Sequence, residues 1–158
     1  MLKELPNLDA LDHRILAVLE EDSSVANNEL ARRVHASAPT CLRRVQRLRD
    51  SGVIDRQVAL LDPATFGPSI TAIVEITLDH QGDEYQRQFE ERVSQDRAVL
   101  QCYRVSPGPD FVLIVQVRDM PAYHHLAHRL FTAEANVRNV RSFFALYRSK
   151  YDTRIARD

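Results

Sequence analysis

Over the first fifty positions, apolar residues recur at the spacing of helices. Leu11, Ile15, Val18 and Leu19 share one helical face, and Asp9 followed by Asp12 places one acid to cap that helix and a second in its first turn, where the dipole favours it. Leu30, Ala31 and Val34 mark a second helix from about Asn27 to Val34, with Asn27 the best available cap, and His35-Ala36 makes a turn. A third helix begins near Ser37, its cap, and stops at Ser51-Gly52. Pro39 is tolerated in its first turn because a proline there forfeits no helical hydrogen bond. Leu42, Val45 and Leu48 fall at three-residue steps and predict its buried stripe, leaving Arg43, Arg44 and Arg47 on another face. Two short helices, a turn and an arginine-faced third helix are the outline of a DNA-binding helix-turn-helix.

The period then changes. Val53 to Leu60 reads as a strand, and Leu61 to Pro68 is the stretch dense in Pro and Gly, which predicts a helix-turn-helix domain over residues 1–60, a linker over 61–68 and a second domain over 69–158. Within the second domain, β-rich runs at Ile70 to Leu78, Val99 to Val105, Phe111 to Val117 and Val137 to Tyr147 enclose helical stretches at Glu84 to Val93 and Met120 to Phe131. The order β-α-β-β-α-β is that of an α+β ferredoxin-like sandwich, with two helices on one face of an antiparallel sheet. Phe111, Val112, Leu113, Ile114, Val115 and Val117 are apolar on both sides of their strand, which fits burial on both faces. Because helices cover only one face, a second copy of the chain is expected on the other, giving a homodimer.

Composition narrows the function classes. A formal net charge of -1 on 158 residues argues against nucleic-acid binding through overall charge, so a local patch is needed. Arg32, Arg33, Arg43, Arg44, Arg47 and Arg49 supply one, in a window without Asp or Glu. Arg33, at the end of the second helix, is expected to be structural or phosphate-directed. Cys41 and Cys102 have no paired spacing, so neither a disulfide framework nor a zinc site is signalled. His124 and His128 lie one helical turn apart, but no carboxylate or cysteine nearby completes a metal site, and a solvated helix face is the expected reading. No Gly-rich phosphate loop or nucleophile elbow points to an enzyme, no apolar run is long enough to span a membrane, and the start lacks the apolar core of a signal peptide. A cytoplasmic protein that is not an enzyme and makes no membrane contact is expected.

The spaced residues Leu8-Asp9, Asp12, Ile15-Leu16, Glu29 to Val34, Cys41 to Val45, Leu48, Gly52 to Ile54 and Leu61 to Pro63 resemble those of Lrp/AsnC (feast/famine) transcriptional regulators. In the second domain the resemblance continues through Cys102-Tyr103, Val105, Asp110-Phe111, Asp119, Tyr123 and Lys150. It implies a winged helix-turn-helix that reads double-stranded DNA, followed by a ferredoxin-like (RAM-type) domain for amino-acid sensing and oligomerisation, with dimers often assembled as a tetramer of dimers. The candidate DNA-binding residues are Ser37, Ala38, Pro39, Thr40, Arg43, Arg44 and Arg47. A recognition helix meets base edges mainly with its N-terminal residues, so Ala38, Pro39, Thr40 and Arg43 are expected there, with Arg44 and Arg47 on phosphate. The rival role is an architectural DNA-organising protein without an effector.

The resemblance also assigns an effector loop, with Ser106 and Gly108 offering an amino acid's carboxylate their amides while Asp110 holds its ammonium group. No other cofactor and no metal is implied. The family pattern has threonine and glycine where this chain has Ser106 and Pro107, and both Pro107 and Pro109 remove N–H donors that an anion-binding loop uses. A turn-capping role for Asp110 stands beside the effector reading.

Overall fold

A computed structural model describes residues 7–133 and 136–155 of the chain. One compact unit runs to Leu61 and also takes in the chain from Lys150 onward, and the other spans Asp62–Ser149. The second domain expected to run to the C-terminus therefore gives up its last stretch to the first unit.

In the first unit, α1 (Ala10–Glu21), α2 (Asn27–Arg33) and α3 (Ala38–Asp50) enclose a core of Ile15, Leu16, Leu30, Ala31, Val34, Cys41, Val45 and Leu48. Asp9 and Asp12 form a reciprocal cap on α1. The Asp12 amide donates to Asp9 Oδ1 at 2.9 Å and the Asp9 amide to Asp12 Oδ2 at 3.0 Å, so each acid satisfies a helix-start N–H of the other. Asn27 does not cap α2. Ala26 holds that position without a side-chain bond, and Asn27 Nδ2 donates instead to the Ala38 carbonyl at 2.9 Å, tying the starts of α2 and α3 together. The turn between them holds His35 at φ 54°, a left-handed conformation uncommon for a residue with a Cβ.

The strand expected at Val53 to Leu60 does not form. The Val53 and Ile54 amides close the end of α3 by donating to the Leu48 carbonyl at 2.9 and 3.0 Å, and the residues after them pair with no strand among the described residues. A β-like sequence makes a strand only where a neighbour takes its N–H and C=O groups. Asp62 then caps a short 3-10 turn, Pro63–Phe66.

The second unit is a four-stranded antiparallel sheet of β1 (Ile70–Leu78), β2 (Val99–Arg104), β3 (Phe111–Val117) and β4 (Val137–Phe144) in the order β2-β3-β1-β4, with helices α4 (Asp83–Ser94) and α5 (Met120–Ala127) between strands. This is the expected ferredoxin-like arrangement. The strand expected to reach Tyr147 ends at Phe144, followed by one further bond from the Ala145 amide to the Thr71 carbonyl at 2.9 Å. The helix expected to run to Phe131 changes character at His128, where a wider π-helical turn covers His128–Thr132 and buries the consecutive residues Leu130 and Phe131.

Alternation sorts the sheet residues. Ala72, Val74, Ile76 and Leu78 of β1 and Phe111, Leu113, Val115 and Val117 of β3 face the helices and are buried with Phe89, Val93, Tyr123 and Leu126. Phe89 stacks on Phe111 with ring centroids 4.7 Å apart, and Tyr123 meets Phe144 edge-on at 5.0 Å. On the opposite face, Ile73 aligns with Ile114 and Phe143, and Tyr103 with Val112. Glu75 and Arg141 border this apolar centre as a 3.3 Å ion pair.

Candidate nucleic-acid interface and effector loop

The N-terminus of α3 is built by Ser37, whose Oγ accepts from the Thr40 amide at 3.3 Å and shares a 2.8 Å hydrogen bond with Thr40 Oγ1. With Ala38 bonded to Asn27, three of the expected DNA-binding residues take part in shaping this helix start, while Pro39 stands exposed.

Along α3, Cys41, Val45 and Leu48 face inward at steps of four and three. Burial pushes the Cys41 thiol up, as befits a packed cysteine. Leu42, expected in the buried stripe, is instead 62% exposed. The inward stripe passes one residue before it, because at about 100° per residue only one of two neighbours lies on the core side. The outward ridge is Pro39, Leu42, Arg43, Gln46, Arg47 and Asp50, which line one shallow cleft.

The arginines divide into two kinds. Arg44 Nη1 lies 2.5 Å from Asp9 Oδ2 and 3.2 Å from Asp12 Oδ1, and Arg47 also donates to Asp12, whose side chain is fully buried. These bonds fasten α3 to the start of α1. The Asp12 amide and the Arg44 guanidinium hold the Asp9 carboxyl down at about 2, and the bond to Asp9 raises Arg44 in turn. Arg44, with 20% of its side chain exposed, belongs to the helix packing, and Arg47, at 49%, is half committed to it. Glu29 accepts from both Arg32 and Arg33, the latter at 2.8 Å, and Arg49 donates to Gln57. An acid-free window in sequence is thus mostly neutralised in space by Asp9, Asp12 and Glu29. Among the six arginines of that window, Arg43 is the one whose guanidinium has no hydrogen bond or ion pair with a described residue.

Sequence reasoning missed Leu42 and Gln46 on the outward face. The signal was present in the spacing, since both lie three and seven positions after the exposed Pro39. It also missed the two acids of α1 as partners for α3, which no spacing rule reveals.

In the second unit, Asp110 sits at the base of the Ser106 to Asp110 loop and is nearly buried. Its Oδ2 accepts from the Leu78 amide at 2.7 Å and from Gln81 Nε2 at 3.4 Å, while its own amide donates to the Ile76 carbonyl at 2.8 Å. The Val105 amide donates to the Asp110 carbonyl at 3.1 Å, closing the loop. Asp110 therefore joins the end of β1 to the start of β3, and its Oδ1 has no hydrogen-bond partner among the described residues. Ser106 and Gly108 are exposed at the tip, and Gly108 takes φ 129°, a conformation that favours glycine. Gln81, unforeseen from sequence, borders this site.

Elsewhere, no three His, Cys, Asp or Glu side chains gather as a metal site among the described residues. No helix among them is long and apolar enough to cross a membrane.

Comparison with known proteins bears on both units. Residues 8–55 match the family model described as winged helix-turn-helix DNA-binding, and residues 71–155 match that of the Lrp/AsnC ligand binding domain. An uncharacterized HTH-type transcriptional regulator of Haemophilus influenzae is 39% identical over 151 residues, covering 96% of this chain and 90% of the relative. Among solved structures, an AsnC family transcriptional regulator from Agrobacterium tumefaciens is similar with a TM-score of 0.88 and 38% identity, over 94% of this chain and 97% of the other. A transcriptional regulator of Neisseria meningitidis in complex with L-Met reaches a TM-score of 0.88 at 29% identity, over 95% and 97% of the two chains.

Proposed function

Because the chain belongs to the Lrp/AsnC family of transcriptional regulators, we propose that it regulates transcription from the cytoplasm by setting the outward ridge of α3 into the major groove of double-stranded DNA. Arg43 is the direct reader. The observation that carries this is its unengaged guanidinium on a capped, exposed helix whose other arginines are held, Arg44 and Arg47 by acids and Arg49 by Gln57. A free guanidinium suits the bidentate contact to guanine O6 and N7, whereas arginines bound to carboxylates spend their donors within the protein. Pro39 flanks Arg43, Ser37, Ala38 and Thr40 hold the helix start against the phosphate backbone, and Arg47 gives a secondary phosphate contact.

The protein works as a homodimer, in keeping with the apolar centre formed by Ile73, Val112, Ile114, Phe143 and Tyr103 on the sheet face that the helices leave open. Two copies would present their α3 helices to major grooves about one helical turn, or a multiple of it, apart. Further assembly into a tetramer of dimers follows the family habit. The effector is an amino acid, as the L-Met complex of the Neisseria meningitidis relative suggests, held at the Ser106, Gly108 and Asp110 loop. Asp110 Oδ1 is the acceptor for its ammonium group, and Ser106 and Gly108 supply the two amides that the prolines leave.

The test is binding of Arg43→Ala to a selected operator and to a random duplex at one salt concentration. Loss of one good bidentate base contact should weaken operator binding about 5- to 150-fold and relax the preference at one base pair, with a much smaller effect on random DNA. Equal weakening on both duplexes would favour an architectural role. Thermal unfolding in millimolar amino acids tests the effector, because a ligand bound by the folded state alone raises the midpoint.

A further inference from the structure

The fold has no use for Leu42 where it stands. Cys41, Val45 and Leu48 fill the core side of α3, while Leu42 turns 62% of its surface to solvent between Pro39 and Gln46. An exposed leucine alone is ordinary. This one lies next in sequence to the unengaged Arg43, on a ridge whose acid, Asp50, already accepts from Gln46 Nε2 at 2.8 Å. The result is a small apolar spot of Pro39 and Leu42 beside a free cation. A protein partner would meet that spot with an apolar surface and leave the guanidinium seeking an acid. The major groove offers both complements on adjoining base pairs: guanine acceptors for the arginine and the thymine 5-methyl group for the leucine.

Resting on the reading of α3 as the DNA-contacting helix, we propose that Leu42 is a specificity-determining residue that recognises a thymine 5-methyl group adjacent to the guanine read by Arg43. The spacing agrees. Leu42 and Arg43 both stand on the outward ridge of α3, and consecutive base pairs lie about 3.4 Å apart, within the reach of two adjacent long side chains of an inserted helix. The contact is dispersion and desolvation alone, so it discriminates thymine from bases that lack the methyl and leaves the salt dependence untouched.

The experiment uses the full chain and duplexes that it selects from a random pool. Each thymine is replaced in turn by uracil, which keeps the base pair and removes only the methyl, and binding is measured by fluorescence anisotropy at fixed salt. One thymine per half-site should prove sensitive, with uracil weakening the parent protein about fourfold there, the worth of one buried methyl group. Leu42→Ala should bind the thymine duplex correspondingly more weakly and be indifferent to uracil at that position, and Leu42→Ser should behave alike. Both variants change an exposed position, and unaltered melting midpoints verify that they fold. The proposal is overturned if no thymine is sensitive, or if Leu42→Ala remains as sensitive as the parent. Failure to select any preferred sequence would instead defeat the underlying DNA-reading assignment, and this proposal with it.

Discussion

Removing the Asp12 carboxylate tests whether the two acids of α1 hold the third helix in place. Asp12 is fully buried, supplies half of the reciprocal cap and accepts from both Arg44 and Arg47. In Asp12→Ala the Asp9 amide loses its acceptor, a capping loss of about 0.5–1 kcal/mol. Stripping a buried ion of its partner costs about 3–5 kcal/mol, but Arg44 retains Asp9 at 2.5 Å and Arg47 is half exposed. Roughly half of that cost therefore applies, for a total with the capping loss of about 2–3.5 kcal/mol. In urea titrations of the full chain followed by helical circular dichroism, a slope of about 1–2 kcal/mol per molar puts the midpoint of the N-terminal unit more than about 1 M lower. The freed arginines should also steepen the salt dependence of DNA binding, by about one unit for each that reaches a phosphate. A midpoint within about 0.3 M of the parent would refute the reasoning, since it would mean that the bonds to Arg44 and Arg47 contribute nothing net.

The Asp9 carboxyl, held at about 2 against an ordinary 3.8, favours folding in its ionised form, so its contribution is present above about pH 4 and lost as pH falls through 2. Melting midpoints of the parent and Asp9→Asn should converge across that window, and a constant gap would count against the assignment. Asp110→Ala leaves the Leu78 amide without its buried acceptor and should cost about 1–3 kcal/mol, read as a lower melting midpoint of the second unit without ligand. Ile114→Asp puts a charge at the centre of the open sheet face opposite Ile73, and light scattering should find a dimer for the parent and a monomer for the variant.

The architecture was legible because its period is strong: helices with steps of three and four up to Gly52, then strands with apolar runs and turn residues between them. Element ends were less so, since Val53 to Leu60 carries strand-like residues but lacks a neighbour to pair with, and β4 stops at Phe144 with a single further bond from Ala145 to Thr71. The outward position of Arg43 was legible from its helix face alone. The commitment of Arg44 and Arg47 was not, because it depends on acids more than thirty positions away in sequence. Leu42 was misassigned because steps of three alone drift off the core face that Cys41 begins. The dual position of Asp110 likewise depends on Leu78 and Gln81, partners brought close by strand pairing.

The division of labour on α3 has a consequence for how such a protein can change. The residues that fasten the helix, Cys41, Arg44, Val45 and Leu48, are distinct from Pro39, Leu42, Arg43 and Gln46, which look outward. On the proposed reading of α3, substitutions in the second group retarget the helix to a new operator while the scaffold stays folded, so a duplicated copy can diverge in the genes it addresses without first passing through an unstable intermediate. Arg44 is different: its exchange would have to be matched by one at Asp9 or Asp12, which ties the histories of α1 and α3 together.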